Sequence, residues 1–126
     1  MSDSLDRLYQ AVLAARTTDP ASSRTARLLR AGRSKMAKKL AEEAVEVVID
    51  AMNGHSDAVV RESADLLYNL VVLWAASGVH PKDVWTEMER RERLLGIAEK
   101  LPKERLDASP RRKVVALDRS RMRKRR

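Results

Sequence analysis

KKLAEEAVEVVIDA, residues 38–51, decides the fold and raises the functional question at once. Laid out at 100° per residue, Met36, Leu40, Ala44, Val47, Val48 and Ala51 form one apolar stripe, and Lys39, Glu43, Glu46 and Asp50 run along its edge. Glu42 points to another side. Acids meant only for water would sit opposite the stripe; these lie next to it, so they travel with the packing face.

Working outward, Ser34 is positioned to cap a helix from Lys35 to about Met52, NGHSD breaks the pattern, and Ser56 is positioned to cap a further helix to about Ser77. In that second helix Val60, Leu67, Leu70, Val71 and Trp74 make one apolar face. The opposite row, Ala58, Glu62, Asp65, Asn69, Val72 and Ala76, is also mostly small or apolar, which predicts a helix central in its assembly. Upstream, Leu5, Leu8, Tyr9, Val12 and Leu13 predict a helix over residues 3–16 with Ser2 or Asp3 as cap, TTDPASS breaks it, and SRTARLLRAG holds a short helical turn ending at Gly32. Downstream, Gly78 supplies a left-handed stop and His80-Pro81 opens a helix that frays near Gly96.

The composition agrees: no Cys, no Phe, four Gly and four Pro in 126 residues, with abundant helix formers. The expected fold class is all-α, a bundle of four main helices over residues 1–100, followed by a flexible basic tail at 101–126 with at most a short VVAL element. That tail carries 11 Lys/Arg against 3 Asp/Glu, so the whole formal charge of +8 resides in it and the preceding residues are neutral. Without cysteine there is no disulfide framework and no thiolate chemistry. MSDSLDRLYQ lacks the features of a secretory signal, and LLYNLVVLWAASGV falls short of the roughly 20 apolar residues that span a bilayer, so a cytoplasmic protein with no membrane partner is expected.

Two carboxylate pairs at i,i+3, Glu43/Glu46 and Glu62/Asp65, thus fall on neighbouring antiparallel helices. Burying charge is costly unless it is paired or coordinates a cation. With oxygen ligands alone on offer, a hard ion that retains some water fits best, Mg²⁺ ahead of Mn²⁺ or Ca²⁺, and substrate phosphates commonly complete such a shell. Against this stands a plainer account, because EExxE alone is a weak signal. Lys38–Glu42 and Lys39–Glu43 can be i,i+4 surface pairs worth about 0.2–0.5 kcal/mol each.

EEAVE at 42–46 followed by ESAD at 62–65 resembles the EExxE…ExxD signature of the all-α nucleoside triphosphate pyrophosphohydrolases, the MazG-like superfamily. Within that group, SRTARLLRAGRSKMAKKLAEEAVEVVIDA and ESADLLYNLVVLWAASGVHPKDVWTEMERR are similar to the phosphoribosyl-ATP pyrophosphohydrolases of histidine biosynthesis, over residues 5 to about 93. The resemblance implies Mg²⁺-dependent hydrolysis of the α–β phosphoanhydride of phosphoribosyl-ATP by a homodimer of intertwined helices. By position it implies Glu43, Glu46, Glu62 and Asp65 as metal ligands and Glu42 as the further acid that holds a second metal or orients water.

For the phosphates, Lys39 lies one turn before Glu43 and Lys35 one turn earlier, at the helix amino terminus where the dipole favours anions. Asn69, one turn past Asp65, is a candidate for base or ribose, and Ser23, Thr25 and Arg27 match a segment expected to close over substrate. The chain departs from the family where it reads Ser-Arg-Thr at 23–25, Leu-Ala-Glu at 40–42 and Tyr-Asn at 68–69; none of these removes a ligand. Two rival readings follow: a house-cleaning pyrophosphohydrolase with another nucleotide substrate, and a non-catalytic helical adaptor that binds nucleic acid through its tail. No aromatic interleaves with the basic run at 119–126, so base stacking is not indicated and nucleic acid is not the expected partner. Trp74, Trp85 and Tyr68 read as core, and His55 and His80 lack the spacing of ligands.

Overall fold

The computed structural model describes residues 3–95, and among them every regular element is helical. The order is α1 (Asp3–Ala15), a 3₁₀ turn (Pro20–Ser22), α2 (Arg24–Ala31), α3 (Arg33–Met52), α4 (Ser56–Ala76) and α5 (Pro81–Leu95). The expected tail and the fraying at Gly96 fall outside the described residues. The chain divides into two compact units, one through Trp85 and one beginning at Thr86.

In the first unit, local chemistry sets each boundary. Asp19 accepts a hydrogen bond from the Ala21 amide at 2.9 Å to start the 3₁₀ turn, and Ser23 Oγ accepts one from the Ala26 amide at 3.0 Å to start α2. The segment expected as a helical turn is thus a full eight-residue helix. Gly32, at φ 101°, ends α2 and opens α3, which leaves Ser34 inside the helix and not at its cap. Between α3 and α4 the His55 amide reaches back to the Asp50 carbonyl at 2.9 Å and the Gly54 amide to Ala51 at 3.1 Å, the pattern that closes a helix on a left-handed glycine. His55 therefore takes the cap position expected for Ser56.

This tight connection makes α3 and α4 an antiparallel hairpin, the most extensive packing in the chain. The core lies toward its open end, where Met36 of α3 meets Val71, Val72 and Ala75 of α4 beneath Tyr9 and Val12 of α1. Arg16 secures that end by donating from Nη2 to the Ala75 carbonyl at 2.8 Å. Toward the closed end the apolar stripe goes uncovered. Val48 is 59% exposed, Met52 80% and Val60 69%, with Val45, Ile49 and Leu67 exposed as well. Of the face expected to bury Val60 and Leu67, only Val71 is buried in this chain, and Leu70 and Trp74 are half-buried. Trp74 and Trp85 pack edge to face at 6.4 Å between ring centroids. In the second unit, Glu87 accepts hydrogen bonds from Arg90 at 3.2 Å and Arg91 at 3.0 Å.

Candidate metal centre

The hairpin brings the predicted acids together. On α3 the edge row Glu43, Glu46 and Asp50 faces the row on α4 that carries Glu62 and Asp65. One carboxylate oxygen each from Glu43, Glu62 and Asp65 lie within 4.8 Å of one another, and so do oxygens from Glu46, Asp50 and Glu62. Glu62 belongs to both sets and stands at the middle of five acids.

Among the described residues, no Lys or Arg forms an ion pair with them. The ion pairs among the described residues all involve Glu87, and the i,i+4 pairs Lys38–Glu42 and Lys39–Glu43 do not form. Crowding shows in the electrostatics: Glu62 is held above its ordinary pKa of 4.5, first by a hydrogen bond shared with the Glu43 carboxyl, then by desolvation and by the like charges of Glu43, Asp65 and Asp50. Oε1 of half-buried Glu43 is shielded from solvent with no hydrogen-bond partner. Converging carboxylates with only oxygen to offer, one of whose oxygens is shielded without a partner, fit a hard divalent cation.

The remaining predicted residues divide. Glu42 is exposed and lies outside both sets of converging oxygens. Lys35 is exposed and Lys39 half-buried on α3. Asn69 is buried to 1% exposure; its Nδ2 donates to the Asp65 carbonyl at 2.8 Å, and its Oδ1 has no partner. It braces the turn of α4 that carries Asp65. Ser23 is engaged as the cap of α2, Arg27 donates from Nη1 to the Pro20 carbonyl at 2.8 Å, and Thr25 Oγ1 lies 2.6 Å from the Tyr68 hydroxyl. Asp50 is the acid that pair spacing left out, although it falls on the same edge row, four residues past Glu46.

The sequence profile of phosphoribosyl-ATP pyrophosphohydrolase matches residues 5–92, a span that contains all five acids. The chain belongs to the phosphoribosyl-ATP pyrophosphohydrolase family. Among the curated members of this family that it resembles, phosphoribosyl-ATP pyrophosphatase 2 of Rhodopseudomonas palustris is 76% identical over 106 residues, 84% of this chain and 81% of that one. Phosphoribosyl-ATP pyrophosphatase 2 of Bradyrhizobium diazoefficiens is 69% identical over 133 aligned positions that cover 99% of both chains. Phosphoribosyl-ATP pyrophosphatase of Gluconobacter oxydans is 54% identical over 104 residues, 81% of this chain and 78% of its own. The span matched to the phosphoribosyl-ATP pyrophosphohydrolase family thus includes the helices that build the acid cluster.

Proposed function

We propose that this protein hydrolyses phosphoribosyl-ATP to phosphoribosyl-AMP and pyrophosphate, a step of histidine biosynthesis, at the carboxylate cluster centred on Glu62. The observation that carries the reading is the convergence of Glu43, Glu62 and Asp65 oxygens within 4.8 Å, with no ion pair to them among the described residues, inside a span matched to the family.

Glu43, Glu46, Glu62 and Asp65 would hold Mg²⁺, with Mn²⁺ acceptable to the same oxygen donors. When bound, the ion supplies Lewis-acid neutralisation of the phosphate oxygens. In the reaction a water oxygen bonds to the α-phosphorus, the α–β bridging oxygen departs with pyrophosphate and keeps the electron pair of the broken bond, and the proton released by water passes to a carboxylate. Glu42 is our candidate for that acceptor on resemblance; Asp50 is the alternative that its position beside Glu46 and Glu62 recommends. Lys39 and Lys35 supply positive charge for the phosphates from the same helix, and Asn69 steadies the backbone of Asp65.

The exposed apolar face of Val48, Met52 and Val60 supports a homodimer in which a second copy covers the closed end of the hairpin. Residues 1–100 form the catalytic domain in this reading, with 101–126 as a basic appendage. No helix among the described residues is long and apolar enough to cross a membrane, and the cytoplasm is the compartment we assign.

Pyrophosphate release from phosphoribosyl-ATP, with and without Mg²⁺, tests the assignment beside a panel of ordinary nucleoside triphosphates. Selective, Mg²⁺-dependent turnover of phosphoribosyl-ATP is expected. Equal turnover of the whole panel would move the reading to a house-cleaning pyrophosphohydrolase.

A further inference from the structure

The segment that opens α2 carries four polar side chains, and three of them are committed. Ser23 caps the helix, Thr25 is bonded to Tyr68, and Arg27 holds the Pro20 carbonyl. Arg24 is different. It is exposed, its guanidinium carbon lies 5.1 Å from the centroid of the Tyr68 ring, and it has no carboxylate or other hydrogen-bond acceptor among the described residues.

A guanidinium laid against an aromatic face keeps its donors free, because they point outward in its own plane. Its support is fixed in turn, since the Tyr68 hydroxyl is tied to Thr25 on the neighbouring position of α2. The result is a planar fork held in place with no acceptor to grip among the described residues.

Its location gives it a purpose. Tyr68 follows Asp65 by three positions on α4, and side chains so spaced are surface neighbours, with about 5–6 Å between Cβ atoms. Through Tyr68, Arg24 thus packs against the turn of α4 that follows Asp65. A nucleotide with its α–β linkage at the acid cluster extends its β and γ phosphates over a comparable span. Those two groups form the leaving pyrophosphate, which gains negative charge as the bond to the α-phosphorus breaks, in a site whose own side chains are mostly acidic.

We propose that Arg24, stacked on Tyr68, binds the pyrophosphate portion of the substrate and stabilises it as it leaves. This inference rests on the pyrophosphohydrolase reading. The planar fork matches two phosphate oxygens at once, which a lysine ammonium cannot do.

The test compares the full-length protein with Arg24→Gln and Arg24→Lys, with inhibition of phosphoribosyl-ATP turnover by each product as the readout in Mg²⁺. Arg24→Gln is expected to weaken inhibition by pyrophosphate roughly tenfold or more, the scale of one lost charge-assisted contact, and to lower kcat/KM by a similar factor. Inhibition by phosphoribosyl-AMP stays unchanged, the thermal midpoint stays that of the parent, and Arg24→Lys recovers only part of the loss. Unchanged inhibition by pyrophosphate overturns the proposal even if turnover falls, and so does equal weakening toward both products. If the parent protein fails to turn over phosphoribosyl-ATP, the functional reading fails by itself. Calorimetric titration of pyrophosphate with Mg²⁺ into the parent and Arg24→Gln then still decides Arg24, since equal affinity overturns the assignment and weaker binding to the variant upholds it.

Discussion

The Tyr68 hydroxyl and Thr25 Oγ1 lie 2.6 Å apart, a hydrogen bond that joins the acid-bearing helix α4 to the first turn of α2 across 43 positions of chain. Tyr68→Phe keeps the ring and deletes only this link. It is expected to cost about 1 kcal/mol of stability. Thr25→Val should cost a similar amount, and the double variant less than the sum of the two, read from the midpoints of denaturant unfolding.

Loss of a central acid separates chemistry from folding. Glu46→Gln and Asp65→Asn are expected to lower kcat by roughly 10²-fold or more, the scale of one preorganised charged group at a reacting centre. Neither change removes core packing, so the far-UV circular dichroism should match the parent. Normal turnover in both variants would remove the cluster from the mechanism.

The raised pKa of Glu62 sets the sign of this one group's contribution to pH-dependent stability in the metal-free protein. Because the folded state favours the protonated form, the contribution of this group to stability is fully present below pH 4.5 and is lost as pH rises through the raised folded value. In EDTA, Glu62→Gln should therefore have a higher thermal midpoint than the parent at neutral pH, and the gap should close toward pH 4. If the cluster holds magnesium as proposed, the ion should reverse the order at neutral pH, stabilising the parent by about 2.7 kcal/mol when present at a hundred times its Kd. A parent midpoint in EDTA that rises relative to Glu62→Gln between pH 4 and 7 would contradict the crowding seen around this group.

The uncovered stripe yields a hydrodynamic expectation. Val48 is 59% and Met52 80% exposed in the single chain, so Val48→Asp and Met52→Asp leave the protomer core untouched. Each should shift the sedimenting species from dimer to monomer. A parent protein that sediments as a monomer at micromolar concentration would remove the second copy from the proposal.

Much of this arrangement is legible in the order of residues, and the exceptions have physical causes. The edge row on α3 and the acids of α4 follow from helical spacing, and their convergence follows from a connection short enough to force an antiparallel pair. Asp50 escapes a search for i,i+3 pairs because it completes the row at i+4. Ser34 and Ser56 resemble caps but are not, since Gly32 and the closure at His55 end one helix and start the next without room for another linking residue. Periodicity shows that Val60 and Leu67 share an apolar face; it cannot show whether that face is covered within one chain. Arg24 shows in the sequence only as the departure Ser-Arg-Thr at 23–25, with no role attached, because its partner is an aromatic ring 44 positions away.

All five clustered acids belong to a single hairpin closed by Asn53, Gly54 and His55, whereas Arg24 and Thr25 reach it from a separate helix. In the proposed mechanism, bond cleavage and the grip on the leaving pyrophosphate would thereby be housed on different stretches of chain. On that proposal, exchanges in α2 would retune the hold on the polyphosphate while the acid cluster on the hairpin stays intact, an economy open to any lineage that keeps the glycine turn.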